Sequence, residues 1–273
     1  MRINTNVMAL NAQNKLAGNQ GAVTKSIAKL SSGLRINSAA DDAAGLAISE
    51  KMRSQIRGLN QAESNAQDGI SLIQTAEGAL QQTTDILQRM RELVIKAEKS
   101  GVLSSEDQDA LQVEVDALEV EIDRIATSTS FNKKNLLDGT ATNLKFKIGA
   151  NSAEVDTLTI GIGDMRASAL TVSGLDVTTD TGAEDALKNI DNAIVAVSKQ
   201  RAELGAIQNR MEYAIESISS TAENLTAAES RIRDVDMADE MVNYTKDNIL
   251  QQSAMAMLAQ ANQQPQQILS LLQ

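Results

Sequence analysis

Asp41 and Asp42 stand side by side just before the small-residue run AAGLAIS (residues 43–49). Such a pair could divide general-acid and general-base roles if its surroundings split the two pKa values. Ahead of a helix it serves equally well as a cap, binding free amides and meeting the positive end of the dipole. The cap is the better reading, because the chain has no His and no Cys to complete an imidazole, thiolate or zinc constellation. Glu114, Asp116, Glu119, Glu121 and Asp123 read as a solvated acidic helix face. Gly161-Ile162-Gly163 lacks the basic helix start of a phosphate loop. Met255 and Met257, in QQSAMAMLAQANQQP, read as seam packing or an adaptable binding face. The sequons at Asn224 and Asn243 fall inside expected helices. No catalytic, cofactor-binding or metal-binding residue is assigned, and an enzyme is not expected.

The elements around these residues follow from composition. Of 273 residues 42% are hydrophobic, yet only Phe131, Phe146, Tyr213 and Tyr244 are aromatic and Trp is absent. A thick core uses rings to fill volume, whereas thin helical seams do not need them. This favours an elongated helical rod. The net charge of −11 and pI near 4.6 argue against nucleic acid as a partner. No run suits a membrane span, and the opening MRINTNVMALNAQ forms no apolar signal core, so export would need another route.

The strongest periodicity is a heptad through Leu187, Ile190, Ile194, Val197, Arg201, Leu204, Gln208, Met211, Ile215, Ile218, Ala222, Leu225, Glu229 and Ile232, interrupted by polar register markers. A second seam uses Ile73, Ala76, Leu80, Thr83, Leu87, Met90, Val94 and Ala97, on a helix expected over 46–98. A third uses Leu111, Val115, Leu118, Ile122 and Ile125, after a stop at Ser100-Gly101 and a cap at Ser104-Ser105-Glu106-Asp107. The rod seam is thus centred on Leu80, Leu87, Leu204, Met211, Ile215 and Ile218. Alternation in Leu144, Phe146, Ile148 and in Leu158, Ile160, Ile162 predicts a β-hairpin at about 142–163, with its turn at Gly149–Ser152. Residues 163–184, rich in Gly, Thr, Ser and Asp, read as a surface loop.

Both ends carry helical patterns where fraying would be ordinary. Ile3, Val7, Leu10, Val23, Ile27, Leu30 and Leu34 form one; Ile232, Val235, Ala238, Val242, Thr245, Ile249, Gln252, Ala256 and Ala259 form the other. Residues 1–40 hold five cations and no acid, while 234–273 hold five acids against Lys246 alone. Opposite charge on two helical arms predicts that they meet, within one subunit or between neighbours. The expected organisation is paired arms at 1–41 and 234–273 and a rod at 42–233 containing the hairpin.

Specific stretches support a family reading. MRINTNVMALNAQNKL, KLSSGLRINSAADDAAGLAISEKMRSQIRGL (Lys29 to Leu59), NAQDGISLIQTAEGAL (Asn65 to Leu80) and LTAAESRIRDVDMADEMVNYTKDNILQQSAMAMLAQANQQPQQILSLL (Leu225 to Leu272) resemble bacterial flagellin, over roughly the first 140 and last 85 residues. The resemblance implies a mainly α fold: an antiparallel coiled-coil rod with a small hairpin and paired terminal helices lining an inner tube. It implies a structural, secreted subunit of the extracellular flagellar filament, exported unfolded by the flagellar type III apparatus and self-assembling into a helical polymer for motility. Outer variable domains are not expected, since only a short segment separates the hairpin from the long carboxy-terminal helix.

The resemblance further implies polymerisation through Ile3, Val7, Leu10, Ile27, Leu30, Val242, Ile249 and Leu258. Its partners would be copies of itself, an export chaperone on the carboxy-terminal arm, and junction and cap proteins. Leu87–Leu93 is similar to the segment read by the flagellin-sensing Toll-like receptor of animals, with Arg89, Leu93 and Glu114 at the contacting positions. Leu93 lies outside the Leu87, Met90, Val94 seam and is expected to be partly exposed. The alternative is a hook–filament junction protein of the same superfamily, which should not resemble flagellin continuously through SSGLRINSAADDAAGLAIS and AESRIRDVDMA. A carboxylate-dependent hydrolase would have to rest on Asp41 and Asp42.

Overall fold

The structure is a computed structural model that describes residues 6–98, 104–151 and 156–271; the side chains of 180 and 265–271 are outside the description. Ile3, the Ser100-Gly101 stop and Ser152 of the hairpin turn therefore lie outside the described residues. The protein is mainly α, with α1 Val7–Ser32, α2 Ala43–Glu98, α3 Ser105–Ser128, α4 Asp180–Arg233 and α5 Met237–Leu271. Four short strands, β1 Ser130–Phe131, β2 Lys134–Asn135, β3 Leu144–Lys147 and β4 Thr157–Ile160, form two antiparallel pairs, β1–β2 and β3–β4. The chain divides into two compact units, residues 55–222 and residues 1–54 with 223–273.

In the unit of residues 55–222, all eight members of the second seam are buried, Ile73 through Ala97. From the long heptad, Ile190, Val197, Leu204, Met211 and Ile218 are buried, and Ile215 is half-buried. Leu80, Leu87, Leu204 and Met211 are fully enclosed. Full burial of such a side chain contributes about 1.5–3 kcal/mol, which is how helices without aromatic residues hold together. Arg91 meets Asp191 at 2.7 Å and Arg201 meets Glu77 at 3.7 Å. Rising numbers on one helix pair with falling numbers on the other, so α2 and α4 run antiparallel. The polar register marker Arg201 thus has a cross-helix partner, while Gln208 turns back to Glu212 on its own helix at 3.0 Å.

Ser104 starts α3 through a capping box, its hydroxyl accepting from Asp107 N while the Asp107 carboxylate accepts from Ser104 N. The hairpin registers Leu144 on Ile160 and Phe146 on Leu158. It is anchored where Asn65 Nδ2 donates to Lys147 O at 3.1 Å. The second, smaller hairpin was not foreseen: it turns through Asn132 and Lys133, both at positive φ (47° and 64°), a geometry that asparagine tolerates better than most residues.

Residues 163–179 are not a surface loop. Met165, Ala167, Leu170, Val172, Leu175 and Val177 are buried in the core. The acids of α3 hold this segment down, which also corrects the expectation of a solvated acidic face. Asp123 accepts from Ala167 N at 2.8 Å, and Glu119 accepts from Ser173 Oγ at 2.6 Å and Gly174 N at 2.9 Å. Gln112 brackets Leu175 and Val177 through their backbone at 2.7 and 2.8 Å. Gln200, buried on α4, likewise accepts from Gly163 N and donates to Gly161 O, both at 3.2 Å. A segment poor in regular hydrogen bonds can be buried only when side chains satisfy its backbone.

In the unit of residues 1–54 with 223–273, α1 and α5 pair along their length. Asn6 caps α1 by accepting from Ala9 N at 3.1 Å and donates from Nδ2 to Ala261 O at 2.7 Å. At the other end Lys29 lies 3.7 Å from Glu240, so this pair is antiparallel as well. Gly33 stops α1 in the left-handed region at φ 72°, where a β-carbon would be strained. Just beyond it, Arg35 N donates to Arg233 O at 2.6 Å and Val235 N to Gly33 O at 3.0 Å, forming a short bridge between the two chain segments.

Candidate functional site

The inner face of the α1–α5 pair mixes small and polar groups with a few larger apolar ones. On α1, Ala9, Ala12, Leu16, Asn19, Val23, Ser26 and Leu30 recur in alternating steps of three and four and are the covered residues. On α5, Glu240, Tyr244, Asp247, Gln251, Ala254, Leu258 and Ala261 recur in the same way. Both are heptad seams that let the helices approach closely. Of these, Ser26, Glu240 and Ala261 are the ones fully buried.

Several other large apolar residues of the two helices lie outside this seam. Val7, Leu10, Ile27, Val242 and Ile249 are exposed, Val242 by 65% and Ile249 by 62%. Leu30 and Leu258 are half-buried within the pair. The terminal pattern through Val242, Thr245, Ile249, Gln252, Ala256 and Ala259 is real but points outward. Apolar periodicity marks a face that meets something, and here α1 takes the adjoining face of α5, through Glu240, Tyr244, Asp247, Gln251, Ala254, Leu258 and Ala261. A small helical pair that leaves this much large apolar surface open has a surface built to be covered.

Asp41 and Asp42 do separate jobs. Asp42 Oδ1 accepts from Gly45 N at 2.8 Å, the cap at the start of α2. Asp41 Oδ2 accepts from Ser38 N at 2.9 Å, Ser38 Oγ at 3.0 Å and Asn37 N at 3.2 Å. Those donors, Ser38 first, hold the Asp41 carboxyl below its ordinary range. Nearby, Arg233 Nη1 donates to Glu50 at 2.6 Å and likewise depresses that carboxyl. A carboxylate surrounded by donors and held below its ordinary range is a structural anchor and a poor proton shuttle.

In the other unit, Arg89 donates from Nη2 at 2.7 Å and Nε at 3.1 Å to one oxygen of Glu114, and reaches Glu92 at 3.3 Å. Glu114 and Glu92 together raise the Arg89 pKa. Leu93 is only 3% exposed and belongs to the core cluster with Leu111 and Val115, so the expected partial exposure is wrong. A second apolar stripe on α2, beside the seam read from the sequence, is what buries it. A hollow of about 450 Å³ lined by Lys133, Lys134, Asn135, Asp138, Thr140, Ala141 and Leu144 offers no acid–base pair, since Asp138 is occupied by Thr140 and Asn135. Among the described residues no group of three His, Cys, Asp or Glu could hold a metal, and no helix is long and apolar enough to cross a membrane.

Both terminal regions of the chain also match models of a known family. The model of the bacterial flagellin N-terminal helical region covers residues 3–142, and that of the C-terminal helical region covers 187–272. The chain belongs to the bacterial flagellin family. It is 54% identical over 305 aligned positions to the flagellin of Bacillus subtilis, with both chains fully covered. It is 52% identical to the flagellar filament 33 kDa core protein of Treponema phagedenis, again over all of both chains. The crystal structure of Bacillus cereus flagellin matches 61% of this chain and 94% of that one at 33% identity and a TM-score of 0.51. A structure titled as a flagellar hook-associated protein from Vibrio parahaemolyticus covers 71% of this chain at a TM-score of 0.61, but at 14% identity it shows the fold alone. This flagellin-family chain is a structural, non-enzymatic subunit that polymerises with itself into the extracellular flagellar filament.

Proposed function

We propose that the chain builds the filament through the outward faces of its terminal helices, with residues 1–41 and 234–273 acting as the polymerisation arms and 42–233 as a rod without an outer domain. The observation that carries this reading is the inversion within the α1–α5 pair. Its own seam mixes Leu16, Val23, Leu30 and Leu258 with small and polar groups, while Val7, Leu10, Ile27, Val242 and Ile249 are exposed. A contact that repeats into an open helix joins two different patches, and this face supplies one of them. The pair alone buries too little to offset backbone ordering, about 1–2 kcal/mol per residue. The arms therefore become fully ordered on assembly, and before it they suit export as an unfolded chain through the flagellar type III route.

The same exposed face of α5 would be the part an export chaperone covers before assembly, with junction and cap proteins meeting the two ends of the polymer. Arg89 and Glu114 form an accessible charged pair, and with Leu93 they are the positions where a flagellin-sensing Toll-like receptor would bind the free subunit. The buried Leu93 would act there by holding α2 and α3 in register.

Seeded elongation followed by electron microscopy tests the assembly reading. The intact chain should grow long filaments from sheared seeds, while a chain lacking 234–273 and an Ile249→Asp variant should remain monomeric with the thermal transition of residues 55–222 unchanged. Filaments from Ile249→Asp at the normal rate would rule the outward face out.

A further inference from the structure

With ten methionines and no cysteine, all sulfur chemistry in this chain is thioether chemistry. Of the nine described methionines, three are buried, five are exposed and Met52 on α2 is half-buried. Met90, Met165 and Met211, in the unit of residues 55–222, are 0%, 7% and 0% exposed. Met8, Met237, Met241, Met255 and Met257, on the terminal helices, are 61%, 48–49% for the next three, and 67% exposed. Met237, Met241 and Met255 are spaced by four and fourteen residues, about one and four helical turns, and so share a stripe on α5. Met8 starts α1 at the end where Asn6 meets Ala261, the end of α5 that carries Met257.

Methionine suits a surface that must pack against differing neighbours, because its side chain is flexible and polarizable. The same exposure leaves the sulfur open to oxidants before it is covered. We propose that these five methionines are an oxidation site that controls assembly: hydrogen peroxide converts them to sulfoxides in the free subunit and stops polymerisation, while the fold of residues 55–222 is spared. This rests on the reading of the terminal helices as the assembly surface.

The chemistry is an oxygen-atom transfer. A sulfur lone pair attacks one peroxide oxygen, the O–O bond breaks as the S–O bond forms, and sulfur gives up two electrons. The proton on the transferred hydroxyl passes to the departing hydroxide, which leaves as water. The product is a polar sulfoxide on a surface otherwise apolar, and burying it between subunits leaves its oxygen without a donor. Met90, Met165 and Met211 are shielded, so the rod keeps its core.

Peroxide treatment of the purified subunit, followed by peptide mass spectrometry, should show the five exposed methionines oxidising at least tenfold faster than the three buried ones. Assembled filaments should protect the five at least tenfold; equal rates in filament and free subunit would overturn the proposal. Oxidised subunit should elongate seeds at least tenfold more slowly with an unchanged thermal transition, and methionine sulfoxide reductase should restore growth. Elongation at the untreated rate despite complete oxidation of the five would also overturn it.

A variant carrying Met→Leu at all five positions should elongate and ignore peroxide, and a variant that elongates but is still stopped by peroxide would refute the assignment. Should that variant not polymerise, Met241→Gln with Met255→Gln, which mimics the sulfoxide, must slow growth, and normal growth refutes the proposal. The two readings fail separately. Normal growth of Ile249→Asp defeats the assembly surface itself, whereas blocked growth of Ile249→Asp beside unimpaired growth of oxidised subunit defeats only the methionine proposal.

Discussion

Lys29 Nζ on α1 lies 3.7 Å from Glu240 Oε2 on α5, and the Glu240 side chain is 11% exposed. This is where the positive first forty residues meet the negative last forty. Most of the opposite charge of the arms is spread over solvent-facing positions, where pairs contribute little. At this one point the acid is enclosed in the seam. Replacing Lys29 by Met should therefore cost about 1–3 kcal/mol, because the carboxylate stays covered without its cation. Lys29→Glu should be worse, and Lys29→Glu with Glu240→Lys should recover part of the loss. Filament dissociation temperature is the measurement, and a double variant no better than the single reversal would show that the two charges do not act on each other.

Met211 is fully buried on α4, in contact range of Gly69 on α2 and Phe146 on β3. A β-carbon added at Gly69 would come within 2.6 Å of the Met211 methyl, so α2 passes close to this side chain. Met211→Asp should destabilise residues 55–222 by about 3–5 kcal/mol, the cost of an enclosed charge without a partner. Ile215→Asp, one turn along and half-buried, should cost visibly less. Urea unfolding followed by circular dichroism decides this, and an unchanged midpoint for Met211→Asp would mean the α2–α4 contact is not the core described here.

Arg89, Leu93 and Glu114 separate into two kinds of position. The Arg89–Glu114 pair is about half exposed on both sides, so Arg89→Ala and Glu114→Ala should each leave stability nearly unchanged. Leu93→Ala should cost about 2–5 kcal/mol, as a large-to-small change in a packed core. If the receptor reading is right, the two polar variants lose receptor binding with the fold intact, and Leu93→Ala loses it in proportion to unfolding. Binding and melting measured on the same three variants separate the cases; full binding by Arg89→Ala would remove this face from consideration.

Helices are the most legible part of this protein because their pattern is redundant. Eight seam residues on α2 and the long heptad on α4 repeat one message, so polar breaks at Arg201 and Gln208 do not obscure it. The caps at Asp42 and Ser104 were readable for a local reason, a side-chain oxygen three residues before a free amide. The segment at 163–179 was not readable, because its burial depends on acids and amides of α3 and on Gln200, far away in sequence. Leu93 was misread because one helix carries two apolar stripes and a single heptad describes only one. On α5 the sequence left open which partner the apolar periodicity meets. Periodicity reveals that Val242 and Ile249 are covered by something, but only the geometry shows that α1 takes the face beside them. The outward apolar stripe of α5 was thus visible in the sequence as a pattern, without its direction.

Asp164 gives the acid behaviour of residues 55–222 a specific origin. Its carboxylate receives Arg166 Nη2 at 2.6 Å and Nε at 3.0 Å, and Arg166 N donates to it at 3.1 Å. The arginine hydrogen bond is the main reason its pKa lies below the ordinary 3.8. Asp107 in the α3 capping box, through Ser104, and Asp138, through Thr140, are held low in the same direction. A carboxyl depressed in the folded state stabilises the fold above its unfolded pKa, and that contribution is lost as pH falls through the folded value. Stability should accordingly be flat near neutrality and fall below about pH 4. Asp164→Asn should be less stable than the parent by up to about 1 kcal/mol at pH 7, and the two should converge as pH falls toward about 2. Urea midpoints at neutral, mildly acidic and strongly acidic pH test the sign. A gap that stays constant through the acid range would mean that Asp164 stabilises this segment as a neutral hydrogen-bonding group, with its charge contributing nothing.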